Sequence, residues 1–135
     1  KKLGAAQFSR AEGIWAGEDA IYWVCTTGGK NDKGQIWRYF PKDEVIELYL
    51  EPNDTDLLQN GDNMTVAPWG DLLVCEDAKK TTNRIVGITP AGEFYVLAAN
   101  RLNNSEFAGV CFAPNHPTLF VNIQNPGITF AITGW

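Results

Sequence analysis

DNMTVAPWGDLLVCED, residues 62–77, is the stretch whose reading decides the fold. It reads as one β-hairpin: a strand over 62–67, the turn Pro68-Trp69-Gly70, and a return strand over 71–77. Proline presets φ at the start of the turn, and glycine supplies the left-handed residue that closes it. With Ala67 opposite Asp71, Val66 faces Leu72, Met64 faces Val74 and Asp62 faces Glu76. Directly opposed carboxylates repel each other unless a cation or an arginine sits with them. The hairpin therefore has an apolar body and an acidic open end.

Working outward, the same design recurs. WAGEDAIYWV (15–24), VAPWGDLLV (66–74) and FAPNHPTLFV (112–121) align as strand end, turn and second strand. Helical periodicity is nearly absent, and short β-rich runs alternate with turn clusters. Strands are predicted over 13–16, 20–26, 35–40 and 45–50. After a polar connection at 51–61, with a short helical turn at 56–59, come 62–67, 71–77, 84–89 and 93–98. A third set covers 109–113, 118–123 and 127–132. Similar four-stranded units every roughly 40–50 residues point to β-propeller blades. A sandwich is the main rival, but it does not explain a recurring hairpin. The expected architecture is all-β: a β-propeller fragment of about two and three-quarter four-stranded antiparallel blades. The blade-like units fall at 10–51, 61–99 and 106–133.

So few blades cannot close a ring, since propellers have about four to eight, and an open stack leaves two apolar sheet faces bare. The chain is expected to be part of a larger protein, or to close its ring with other copies. Three chains of about two blades each would approximate a six-bladed ring. Its 135 residues suffice for one ordinary domain, and 44% hydrophobic with 20% charged residues excludes disorder. A net charge of −5 argues against nucleic acid or an anionic membrane surface as partner. No apolar run approaches the roughly 20 residues of a spanning helix, and the opening KKLGAAQFSRAEG reads as folded sequence with no signal peptide in it, so the true N-terminus is expected elsewhere. Cys25, Cys75 and Cys111 lie inside predicted strands without metal-type spacing and read as small buried hydrophobes.

The start of each unit's first strand and the end of its second lie at the same end. That brings Arg10 and Glu12 near Thr26 and Thr27, Asp62 and Asn63 near Glu76 and Asp77, and Glu106 near Asn122 and Gln124. In the overlay Glu12 falls at the position of Asn63. On a propeller's inner strands these groups converge on one channel mouth. Oxygen ligands with net negative charge suit a hard cation such as Ca²⁺, against the plain alternative of solvated turn residues. Arg10 suits a bidentate grip on phosphate or carboxylate; equally, it suits an ion pair with Glu12 or Glu76. His116, the only histidine, sits in a turn at the opposite end, so a Ser–His–Asp triad has no candidate. There is no Gly-rich phosphate loop and no Cys/His zinc pattern. Trp15, Trp23, Trp37 and Trp69 fit blade cores or turn packing, and Lys79 and Lys80 a solvated turn.

The runs FSRAEGIW, GQIWRY, GDNMTVAPWGDLLVCED, RIVGITPAGEFY, EFAGVCFAP and TLFVNIQNPGITFAITGW together resemble the C-terminal part of PhoX-type alkaline phosphatases. The resemblance covers nearly the whole chain but only about the last third of a family member. It implies a monomeric propeller phosphatase, periplasmic or secreted through the twin-arginine route, with a mixed calcium and iron (Ca²⁺, Fe³⁺) centre and a small phosphate ester as substrate. By the resemblance, Arg10 is a phosphate-contacting catalytic arginine and Glu12 a metal-bridging carboxylate. Asp62, Asn63 and Glu76 match positions near the calcium sites. The family's iron-ligating cysteine lies in the part this chain lacks, and none of the three cysteines here replaces it. The end reads TGW where the family pattern has TGPW. Alone, the chain is expected to lack a complete active centre. A non-catalytic propeller binding module and a calcium-dependent lactonase-like propeller are the alternatives.

Overall fold

The computed structural model describes residues 3–79 and 82–134; Lys80 and the terminal Trp135 lie outside the described residues. Among the described residues it contains eleven strands and no helix. The first antiparallel sheet runs in chain order through β1 (Ala11–Ala16), β2 (Ile21–Cys25), β3 (Gln35–Phe40) and β4 (Val45–Leu50). The second repeats this with β5 (Gly61–Val66), β6 (Leu72–Glu76), β7 (Arg84–Ile88) and β8 (Phe94–Ala99). The third has β9 (Phe107–Phe112), β10 (Leu119–Ile123) and β11 (Ile128–Ile132). β1 lies beside β5 and β5 beside β9, so the first strand of each set is innermost. The three sheets are successive blades of a propeller-like fragment.

The central sheet is buried on both faces because β6 is apolar at every position before Glu76. Leu72 and Val74 pack with Val24, Ile36, Met64 and Ile88 between the first two sheets. Leu73 and Cys75 point the other way and pack with Val110, Leu119 and Val121 between the second and third. The outer faces are bare, as the open stack requires. On the first sheet Ile14 is 64% exposed and Ile46 50%, and Phe8 stands edge-on to Trp23 and Trp37. On the third, Phe120 is exposed.

The hairpin at residues 62–77 folds as read at its turn and departs at its open end. Ala67 N–H donates to Asp71 O at 2.8 Å, and Gly70 takes φ +97°, which favours glycine. Val66 opposes Leu72 and Met64 opposes Val74. A β-bulge then intervenes, and Gly61, not Asp62, opposes Glu76. The expected Asp62–Glu76 pair is thus corrected: the extra residue in β5 slides the two acids out of register.

Every blade carries this irregularity in its first strand. Register slips between Ala11 and Ile14 in β1, and in β9 opposite the interval from Phe120 to Asn122. The strand ends fix the equivalences. Arg10 O, Asn60 O and Glu106 O accept from Thr26, Asp77 and Gln124 N–H at one end. Gly17, Ala67 and Ala113 N–H donate to Ala20, Asp71 and Thr118 O at the other. Glu12 is therefore equivalent to Asp62, one residue from the expected Asn63.

Candidate functional site

Two bulges and one glycine bring the acids together. A bulge re-aims side chains, and here it turns Glu12 of β1 and Asp62 of β5 toward each other. The backbones of β1 and β5 touch at Gly13. A β-carbon there would lie 2.4 Å from Asp62 O and 2.9 Å from Asn63 Cα. No larger residue lets the two inner strands come this close.

The resulting cluster joins Glu12, Asp62 and Glu106, one acid from each blade. Asp62 hydrogen-bonds with both Glu12 and Glu106. Burial, then the bond and charge of Glu12, push its carboxyl up to about 7. Asp62 therefore holds a proton near neutral pH and shares it with its neighbours. Burial also raises Glu106, helped by the charge of Asp77. Glu12 moves the opposite way: its hydrogen bond with Asp62 lowers it against its own desolvation, with Arg10 assisting. Arg10 Nη2 donates to Glu12 Oε1 at 2.7 Å and lies 4.0 Å from Asp77 Oδ2. That pair is exposed, and such pairs contribute at most about 1 kcal/mol.

Arg10 and Glu12 therefore lie at one site, with Asp62 beside them. Asn63 and Glu76, read from the sequence as metal-site residues, are engaged elsewhere. Asn63 Oδ1 accepts from Val110 N–H at 2.8 Å and ties β5 to β9. Glu76 is corrected outright. Its carboxylate is 1% exposed and takes Arg84 Nε at 2.7 Å, Arg84 Nη2 at 2.6 Å and the Gln59 N–H at 2.8 Å. Arg84 also donates to the Thr55 and Asp56 carbonyls, clamping the inter-blade connection. Sequence reasoning missed Arg84, although the antiparallel return of β7 beside β6 places it next to Glu76. It placed Glu106 among the groups converging on the mouth but not among the residues assigned to the metal site. The signal was position: Glu106 precedes β9 as Arg10 precedes β1.

The donor set is all oxygen, which suits a hard cation. Glu106 Oε2 is buried and faces no N–H or hydroxyl donor. Among the described residues, however, no group of three or more His, Cys, Asp or Glu side chains is arranged to enclose a metal ion. By themselves these carboxylates therefore make no complete metal shell. Cys75 and Cys25 are poor metal-ligand candidates: burial, and then the charge of Asp62, push the Cys75 thiol up, and burial raises Cys25. A metal-binding cysteine needs the reverse. No helix among the described residues is long and apolar enough to cross a membrane.

No curated protein and no solved structure matches the chain. A family model described as Alkaline phosphatase PhoX matches residues 1–127, a span that holds Arg10, all three acids and ten of the eleven strands in full. The chain belongs to the PhoX alkaline phosphatase family.

Proposed function

We propose that this chain is the C-terminal piece of a metal-dependent phosphomonoesterase, with the mouth of the inner strands forming one sector of the active centre. The observation that carries the reading is the meeting of Glu12, Asp62 and Glu106 beside Arg10. Three carboxylates in contact are unfavourable unless protons or cations sit among them, and Asp62 already keeps a proton to about pH 7. Calcium bound here would supply positive charge to phosphoryl oxygens. Glu12 and Asp62 are the residues that would hold it, with Glu106 adjacent. The guanidinium of Arg10 fits two phosphoryl oxygens at once, and it reaches them by leaving an ion pair that costs little to break.

An iron centre, if the whole protein has one, takes its ligands from outside this chain. The remainder of the same propeller, or other copies, would cover the bare faces and complete the coordination shell. A small phosphate ester is the proposed substrate, and the family resemblance supports a periplasmic or secreted location.

The test uses the full-length protein and 4-nitrophenyl phosphate. Hydrolysis is expected, and a calcium chelator abolishes it. Arg10→Ala and Glu12→Ala each lower kcat by about 100-fold or more. Their urea midpoints stay close to the parent's, since the pair they break is exposed. Chelator-insensitive hydrolysis, or loss of stability before loss of turnover, overturns the proposal.

A further inference from the structure

A second concave site opens on the other side of Arg10. It holds about 240 Å³ and is lined by Arg10, Lys33 and Lys79 with Thr27, Asn60 and Asp77. Three cations face one carboxylate, in a chain whose net charge is −5. The ion pairs among the described residues use Arg10, Arg38, Lys42 and Arg84, and neither Lys33 nor Lys79 takes part.

The frame that carries these lysines is built, not loose. Asn60 is the residue equivalent to Arg10 and shares its left-handed backbone, with φ +48° at both. Its side chain donates to Thr26 O and Asp32 O at 2.9 Å each, and its N–H to Lys33 O at 2.8 Å. Three bonds from one asparagine therefore fix the Lys33 loop against the start of β5. On the other wall, Asp77 N–H donates to Asn60 O at 2.9 Å and Ala78 N–H to Asn83 Oδ1 at 2.7 Å. Lys79 follows directly. Two lysines outside the ion pairs, set beside a guanidinium, give this pocket a local positive field that an anion complements.

We infer that the Lys33–Lys79 pocket receives a second phosphoryl group of the substrate, so that the preferred substrates are phosphomonoesters carrying another phosphate, such as sugar bisphosphates or nucleoside 3′,5′-bisphosphates. The assignment rests on the phosphatase reading for its chemistry, but not for its anion. Arg10 is shared by both sites, so a substrate spanning them places one phosphate at the acids and the other between the lysines.

The experiment compares fructose 1,6-bisphosphate with fructose 6-phosphate as substrates of the full-length protein and its Lys33→Ala/Lys79→Ala variant. The bisphosphate-to-monophosphate ratio of kcat/KM is expected to fall about tenfold through KM, with the monophosphate unchanged. Lys33→Arg/Lys79→Arg is expected to retain the ratio, which separates lost charge from misfolding. An unchanged ratio, or an equal fall on both substrates, overturns the assignment. Inorganic phosphate protecting the lysines from acetylation as well as the bisphosphate does would make this a product site and also overturn it. Pyrophosphate binding by calorimetry separates the two readings. Binding that weakens tenfold in the alanine variant, in a protein that hydrolyses neither ester, sinks the phosphatase and keeps the anion pocket. Binding indifferent to the lysines sinks the pocket whatever the protein hydrolyses.

Discussion

Replacing Glu76 or Arg84 should cost stability and leave calcium binding alone. Glu76 is 1% exposed, and its two oxygens receive two bonds from the Arg84 side chain and two more from the backbone of Gln59 and Arg84. Arg84→Ala strips the charge partner and leaves a carboxylate sealed from water. Breaking a buried pair in this way costs about 3–5 kcal/mol. Glu76→Gln keeps the shape but turns an amide donor toward a guanidinium that needs an acceptor. Hydrogen bonds to charged groups are worth about 1.5–3 kcal/mol, so a loss of about 2–3 kcal/mol is expected. At a urea m-value of about 1–3 kcal/mol/M, a loss of 3 kcal/mol moves the midpoint down by about 1–3 M. The assay is urea unfolding followed by tryptophan fluorescence, with and without saturating calcium. Ligand binding to the folded state adds the same increment to parent and variant if the site is intact. A Glu76→Gln protein with unchanged midpoint and weakened calcium binding would refute the reasoning and return Glu76 to the metal site.

Two further predictions concern the inner strands. The folded state holds a proton at Asp62 that the unfolded chain releases between its ordinary value of 3.8 and about 7. Stability is therefore highest below about pH 4, falls as pH rises through this window, and levels off above about 7. Glu12, lowered in the fold, works in the opposite sense at the acid end; urea midpoints across this range, in chelator, should show a decline that Asp62→Asn flattens and calcium removes. Gly13→Ala drives a methyl group into the Asp62 carbonyl and should destabilise by about 1–3 kcal/mol or more by the same unfolding assay. Because it parts β1 from β5, it should also bring the Asp62 carboxyl back toward the ordinary aspartate range, read by carboxyl NMR titration.

The blade count, the strand order and the hairpin turns were legible in the chain because they rest on local chemistry. Alternating apolar residues, Pro68-Trp69-Gly70 and Pro90-Ala91-Gly92 each act over a few neighbouring residues, and glycine closes both turns with positive φ. The convergence of blade ends also followed, since antiparallel strands return to where they began. Tertiary structure decided which acids meet. A bulge is one residue of slip, and here it coincides with the close packing of β1 and β5 at Gly13. That single slip separated Asp62 from Glu76, aligned Asp62 with Glu12, and left Glu76 to a partly buried arginine. The sequence of residues 62–77 by itself determined a hairpin with acids at its open end. Only the packing of three blades determined which of those acids face the mouth, because their partners lie on other sheets and no local pattern records that distance.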